Sequence, residues 1–241
     1  MLSFFDLHSH LLCEVDDGAK SPEEMYKMLE ASYEDGVRAI CLTPHYSPYL
    51  FGDTSEAAQK AYALLEEYVA QKHPDMRIFL GNELGYHQDA VEALNTGRCR
   101  TLNGSRYVLL DFPEGIMLFA IKNAVEQLKG AGYSVILAHA ERYRCLHGEF
   151  EWIASFVAAG GVIQLNASSY LGAWGSRAKR QWKRLVKKQL VHIIASDAHN
   201  LTTRPPQMSV CMRFLHRHCS EQAVQNLVWN NACRVIRDEL I

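Results

Sequence analysis

The sequence predicts an α/β fold in which seven strand–helix units close into a (β/α)7 TIM-like barrel, a single domain over residues 1–241. Three observations predict it. Short apolar runs alternate with stretches of helical periodicity along the whole chain, and strand-then-helix repeats build parallel sheets because a parallel neighbour is reached only by a crossover. No low-complexity segment, long linker or composition break divides the chain. Seven units in 241 residues favour closure over the rival arrangement, an open doubly wound sheet.

Taken in order, the apolar runs are residues 4–7, 38–42, 77–80, 107–110, 134–137, 161–165 and 191–195. Between the first two lies SPEEMYKMLEASYEDG (21–36), the clearest helix. Ser21 is its N-cap, Pro22 takes the first position, where a missing N–H costs nothing, and Glu24 sits where a capping box needs it. Met25, Met28, Leu29 and Ser32 then mark one face at helical spacing. The stretch TSEAAQKAYALLEEYVAQK (54–72) behaves in the same way, as do 116–131, 149–158, 175–188 and 207–237.

Composition narrows the function classes. Hydrophobic residues at 48% and charged residues at 22% support a sizeable core, and a net charge of −2 gives no global electrostatic case for nucleic acid or an anionic membrane. The N-terminus carries no basic stretch followed by a long apolar one, with Asp6 and His8 interrupting it early, and no window approaches the roughly 20 apolar residues that span a bilayer. Seven cysteines without regular spacing read as reduced thiols, with no cluster for a structural zinc. These features predict a soluble cytoplasmic protein without an integral membrane segment.

In β/α barrels functional side chains emerge at the C-terminal ends of strands. The first run, in DLHSHLLCEVDDG, is followed by His8, His10, Asp16 and Asp17; AICLTPH ends in His45, MRIFLGNE in Glu83 and YVLLD in Asp111. VILAHAER ends in His139, Glu141 and Arg142, and VHIIASDAH in Asp197 and His199. Only the sixth run, VIQLNASS, ends in amides and hydroxyls. Six ends bearing imidazole or carboxylate would converge on one rim, and carboxylates crowd together as anions only with cations between them. Imidazole suits zinc, manganese and iron, and carboxylate suits manganese and magnesium, so the inventory fits two or three divalent ions. A lone HxH is weak evidence; the combined pattern carries the reading. His73, His87, His147, His192, His216 and His218 read as ordinary surface or core-edge histidines, and Cys13 and Cys41, near the rim, as packing residues.

Two arginines stand beside these ligands. Arg142 follows His139 by three residues, and Arg204 precedes two prolines that stiffen its loop. A guanidinium fork matches a phosphate, which makes both phosphate-clamp candidates. The stretch CMRFLHR, Cys211 to Arg217, has the spacing of a cysteine-dependent phosphatase loop, but its bulky residues suit a helix and not a nest of backbone amides, so the match reads as chance. The aromatics of YSPYLF (46–51) offer an oligomer contact or a cover for the rim.

DLHSH, VDDG, TPH, GNE, AHAERY and ASDAHN–RPP, in this order from about residue 5 to 238, resemble the PHP (polymerase and histidinol phosphatase) superfamily. More closely they resemble the bacterial tyrosine-protein phosphatases encoded with capsular and exopolysaccharide genes. The resemblance implies that the barrel is distorted and holds three divalent ions, often manganese. By it, His8, His10, Glu83 and Asp197 hold one metal; Glu83, Asp111 and His139 a second; Asp17, His45 and His199 the third; and Arg142 and Arg204 bind phosphate. Asp111 departs from the family, which tends to offer Glu there, and the segment after His45 lacks the basic residues the subgroup often carries. The implied reaction is metal-dependent hydrolysis of phosphotyrosine on the tail of a bacterial tyrosine kinase, with Asp17, Glu141 or His199 as proton donor. The competing expectations are a histidinol-phosphate-type phosphatase of small metabolites and a catalytically idle, metal-stabilised binding module.

Overall fold

A computed structural model describes residues 3–241. In chain order the elements are β1 (Phe4–Ser9), α1 (Pro22–Glu34), β2 (Val37–Leu42), β3 (His45–Tyr46), α2 (Pro48–Phe51), α3 (Ser55–Lys72), β4 (Arg77–Leu80), β5 (Glu83–Gly85), α4 (Ala90–Asn95), β6 (Tyr107–Asp111), α5 (Leu118–Gly130), β7 (Ser134–Leu137), α6 (Phe150–Ala158), β8 (Val162–Asn166), α7 (Gly175–Lys187), β9 (Ile193–Ala195), α8 (Met212–His218), α9 (Glu221–Gln225) and α10 (Asn231–Ile236). No helix among the described residues is long and apolar enough to cross a membrane.

Every named strand pair is parallel, in two sheets ordered β1-β2-β4 and β3-β5-β6-β7-β8-β9. The second and third predicted strands are each interrupted near their C-terminal ends. Pro44 has no N–H to give the ladder, and its carbonyl accepts from Glu83 N at 3.2 Å and from the Asn82 side chain at 2.9 Å. Gly81 N donates to Leu42 O at 2.9 Å. These bonds lead β2 into β3 and β4 into β5 across the break. The far edge of the longer sheet curls back to β1: Ser9 bridges Ala198, Asp197 N donates to His8 O at 2.9 Å, and His10 N to Ala198 O at 2.8 Å.

The α1 expectation holds in detail. The Ser21 side chain accepts from Glu24 N, and Met25, Met28, Leu29 and Ser32 are buried. The capping box differs by one residue, since Glu24 Oε2 accepts from Lys20 N at 2.8 Å and not from Ser21 N. The predicted 207–237 helix is broken. Cys219 is extended, Ser220 caps α9 by accepting from Ala223 N, and a π turn at Asn226–Asn230 precedes α10. The break folds the C-terminal segment back, so that Trp229, Ala232 and Val235 join Phe5, Leu7, Tyr107, Leu109, Ile136 and Ile193 in an apolar cluster inside the curled sheets. A larger cluster lies between the sheets and the surrounding helices.

Candidate metal centre

His8 and His10 stand where β1 ends, and both rings are fully buried. The β1–β2 register slips between Asp6 and Ser9, so the inward parity of Phe5 and Leu7 does not carry on to the histidines. His8 Nδ1 faces Gln164 Oε1 at 3.2 Å, and His10 Nδ1 faces Asp16 Oδ2 at 2.7 Å. These acceptors hold the ring protons on Nδ1 and turn the two Nε2 lone pairs toward each other, 3.1 Å apart. Two neutral rings facing in this way repel, and either a proton or a shared cation between the nitrogens removes the repulsion.

The carboxylates close around them. Glu83 is buried, with Oε2 at 3.3 Å from His8 Nε2, 3.2 Å from His10 Nε2 and 3.0 Å from His45 Nδ1, and Oε1 at 2.8 Å from His139 Nε2. Asp197 Oδ1 lies 3.4 Å from His8 Nε2, and Asp111 Oδ1 3.5 Å from His139 Nε2. Asp17 Oδ1 lies 3.4 Å from His45 Nε2 and 3.3 Å from His199 Nε2. Four groups bring their donor atoms within 4.8 Å of one another: His10–Asp17–His45–His199, His8–His10–Asp197, His8–Glu83–His139 and His45–Glu83–Asp111. All nine predicted ligands therefore meet in one place. Close as these contacts are, Glu83 Oε2, His139 Nδ1 and His199 Nε2 are buried there without a well-oriented hydrogen bond. Buried polar atoms are nearly always paired, so such orphans among hard and borderline donors fit divalent cations.

The electrostatics agree. Burial opposes a charge on His8, yet Glu83 and Asp197 outweigh it and raise its pKa to about 9. His45 rises to about 10 against its own burial because Glu83 faces it. Glu83 and Asp197 are themselves held below the usual carboxylate range despite burial, chiefly by His8. Burial and the Glu83 charge raise Asp111, while burial and the neighbouring His10 lower His199 to about 4. Carboxylates this dense demand positive charge, which cations supply directly.

A supporting layer holds the ligands, and sequence reasoning missed most of it. Gln164 Oε1 also accepts from His139 N at 2.7 Å, and its Nε2 donates to Asn166 Oδ1 at 2.9 Å. Asn166 Nδ2 donates in turn to Asp197 Oδ2 at 2.6 Å. The amides of the sixth strand are therefore the bracket between ligands on three other strands, and their i, i+2 spacing was the available signal. Asp16 orients: Oδ2 also accepts from His45 N at 2.8 Å, and Oδ1 from Gly18 N at 2.9 Å. At Gly18 an added Cβ would stand 2.0 Å from His10 O, which explains the glycine of VDDG. His139 and Asp197 have φ of 33° and 53°, left-handed conformations that cost energy in non-glycine residues and turn both side chains to the common centre.

Arg142 Nη1 donates to Asp197 Oδ2 at 3.3 Å and Arg204 Nη2 to Asp197 Oδ1 at 2.8 Å, so both predicted clamps meet beside the donor cluster. Trp174, unnoticed in the sequence, organises them: its ring lies 3.7 Å from Arg142 Cζ and 5.4 Å from Arg204 Cζ. Glu141 is occupied elsewhere, since its Oε1 accepts from Asn166 N at 3.1 Å and Ser169 Oγ at 2.6 Å. Burial raises it to about 7, but its contacts brace the loop after β8, and it is absent from the four donor groups.

The groups set aside in the sequence have other partners. His73 pairs with Glu30 at 2.8 Å, His147 Nε2 donates to Glu141 O at 2.8 Å, and His218 Nδ1 to Phe214 O at 3.0 Å. Cys211 is completely buried and its thiol is pushed up to about 12, which excludes it as a nucleophile. Cys13 and Cys41 are core residues. A cavity of about 430 Å³ lined by His192, His218 and Arg234 lies by the N-terminal end of β9 and contains none of the donor set.

The model of the capsular polysaccharide synthesis CpsB/CapC family matches residues 4–237. Tyrosine-protein phosphatase CpsB of Streptococcus pneumoniae is 30% identical over 241 residues, covering 98% of this chain and 99% of the relative. Tyrosine-protein phosphatase YwqE of Bacillus subtilis (strain 168) is 26% identical over 236 residues, covering 98% and 92%. A crystal structure from work on YwqE of Bacillus subtilis and CpsB of Streptococcus pneumoniae, described as unique metal-dependent tyrosine phosphatases, superposes with a TM-score of 0.87 at 26% identity over 98% of this chain and 96% of the other.

Proposed function

The chain belongs to the CpsB/CapC family of capsular polysaccharide synthesis, and from that premise we propose that it is a metal-dependent protein-tyrosine phosphatase. The observation that carries the reading is the meeting of Arg142 and Arg204 at Asp197, on the edge of a buried imidazole–carboxylate cluster. That pairing supports reading the two arginines as an anion clamp beside cation sites, the combination a phosphate monoester requires.

We assign His8, His10, Glu83 and Asp197 to one ion, Glu83, Asp111 and His139 to a second, and Asp17, His45 and His199 to a third. The contacts of Glu83 with four imidazoles support its place among the ligands that would hold more than one ion. The mixed donors favour manganese, with iron, zinc or magnesium compatible. When bound, such cations would offset phosphoryl charge and make water a competent nucleophile at neutral pH. The protein's own part is geometric. Arg142 and Arg204, stiffened by Trp174, hold the phosphoryl oxygens, and Gln164, Asn166 and Asp16 hold the ligands. Asp17, half-exposed at the mouth, is held below the usual carboxylate range, against its partial burial, by its contact with His199 3.3 Å away and by the His45 and His10 charges, so it acts as an anionic ligand and not as a proton donor. A tyrosine phenolate, whose conjugate acid has a pKa of about 10, departs without a dedicated donor and takes its proton from water at the mouth.

The same reading takes the chain as one domain of the PHP superfamily and its two sheets as one distorted (β/α)7 TIM-like barrel, counting β2/β3 and β4/β5 as interrupted strands and Ser9–Ala198 as the closure. Its substrate is the phosphotyrosine-bearing tail of a bacterial tyrosine kinase that controls capsule or exopolysaccharide synthesis. Seven free thiols support a cytoplasmic site of action. The test is turnover of para-nitrophenyl phosphate, a phosphotyrosine peptide and histidinol phosphate with added manganese. Peptide hydrolysis abolished by chelator is expected; inertness toward all three, or preference for histidinol phosphate, overturns the proposal.

A further inference from the structure

We infer that a groove lined by Arg144, Arg177, Arg180 and Arg184, opening beside the phosphate clamp, selects phosphotyrosines flanked by anionic residues. The inference rests on the phosphotyrosine reading above and adds the sequence context that the enzyme recognises.

The chain as a whole carries a net charge of −2, but α7, GSRAKRQWKRLVK, holds six basic residues and no acid. Its apolar face (Ala178, Trp182, Leu185 and Val186) is buried against the body of the protein. Arg177, Arg180 and Arg184 recur at spacings of three and four, which gathers them on one side of the helix. They line a cavity of about 320 Å³ together with Arg144, His147 and Gln181. A second cavity of about 290 Å³ shares Arg144, His147 and Arg177 with the first and continues to Arg142, Trp174 and Glu114. The two form one path from the clamp outward along α7.

The path is built to receive anions. Among the described residues Arg177, Arg180 and Arg184 have no carboxylate within 4.0 Å, and Arg144 has only the exposed Glu114, at 3.3 Å. Guanidinium groups that line one cavity repel one another, and a carboxylate or phosphate relieves that repulsion with paired hydrogen bonds. The walls are held in place: Gln181 Nε2 donates to Leu146 O at 2.9 Å, and His147 Nε2 to Glu141 O at 2.8 Å. Arg142 and Arg144 stand two residues apart on the loop after β7, so one loop serves both the reacting phosphate and its neighbours. Continuity with the clamp identifies the occupant as the polypeptide that carries the reacting phosphotyrosine. A lipid surface would call for apolar side chains among the basic ones, and the first cavity's lining is polar.

The test uses peptides with a single phosphotyrosine in neutral, Asp/Glu-rich or doubly phosphorylated contexts. The wild-type protein is expected to favour both anionic contexts in kcat/KM by roughly five- to tenfold at low salt, the scale of two or three rim charge pairs. That preference should shrink as salt rises. Arg180→Glu/Arg184→Glu, and the milder Arg180→Gln/Arg184→Gln, should bring the ratio to about one. Comparing the two anionic contexts tells a carboxylate partner from a phosphate. Fluorescence anisotropy with non-hydrolysable phosphonate peptides reads the same preference without turnover, so failure of catalysis and failure of the groove are told apart. Equal affinity for neutral and anionic flanks in the wild type, or an unchanged ratio in both variants, overturns the inference. So does binding to phosphatidylserine vesicles that needs the same arginines while peptide flanks make no difference.

Discussion

Gln164→Met tests the claim that the sixth strand organises the metal centre without supplying a ligand. Methionine keeps the length and removes the polar end. Gln164 Oε1 now accepts from His8 Nδ1 at 3.2 Å and from His139 N at 2.7 Å, and Nε2 donates to Asn166 Oδ1. The change leaves a buried backbone N–H and a buried imidazole donor without acceptors. At about 1–3 kcal/mol for each unsatisfied buried group, partly relieved by relaxation, the cost to the fold is on the order of 2–4 kcal/mol. In a chain of this size that lowers Tm by roughly 5–12 °C. The His8 tautomer is also released, and loss of such a supporting contact weakens metal binding about 10–100-fold. Calorimetric titration of manganese into chelator-stripped protein, together with thermal unfolding of the stripped protein, reads the two effects separately. Metal affinity within twofold of the wild type would refute the argument, even if the Tm fell as expected.

Other outcomes follow from the same geometry. Arg142→Ala and Arg204→Ala should each lower kcat/KM for a phosphotyrosine peptide by about 10²–10³-fold while elemental analysis finds the metal content unchanged; loss of metal would make them structural instead. Trp174→Ala should lower kcat/KM about tenfold by freeing both guanidiniums, and an unchanged value would deny its positioning role. EDTA should abolish turnover and manganese restore it, whereas iodoacetamide should leave turnover intact, because Cys211 is buried and its thiol sits near 12. Burial lowers the His192 pKa to about 4 from an ordinary 6.5, so the unfolded chain takes up that proton first. The stability linked to neutral His192, on the order of 2–3 kcal/mol, is complete above pH 6.5 and lost as pH falls toward 4. Urea midpoints of the wild type and His192→Gln should therefore converge over that interval, and parallel curves would refute it.

The residues that approach the metal centre were legible, and the reason is physical. A parallel α/β sheet delivers side chains at strand C-terminal ends, so imidazoles and acids just beyond apolar runs could be placed without knowing any distance. The α1 helix was legible because cap, proline and buried stripe all agree. Less could be read where structure depends on distant partners. The 207–237 stretch keeps helical periodicity, but packing of half-buried Trp229 and buried Val235 against the cluster inside the curled sheets favours a break at Cys219–Ser220. Glu141 follows a strand just as His139 does, yet Ser169 and Asn166 N claim it.

By itself the sequence determined the chemical inventory: which donors leave which strand end, which arginines stand near them, and that cysteine chemistry lacks a suitable loop. Tertiary structure alone decided how that inventory is used. Gln164 meets His8 across 156 residues, Asn166 meets Asp197, and Trp174 lies under two guanidiniums from separate loops. Periodicity assigns a side chain to a face of its own strand or helix, but the partner it meets there is set by the slipped register of β1, the left-handed turns at His139 and Asp197, and the return of β9 to β1.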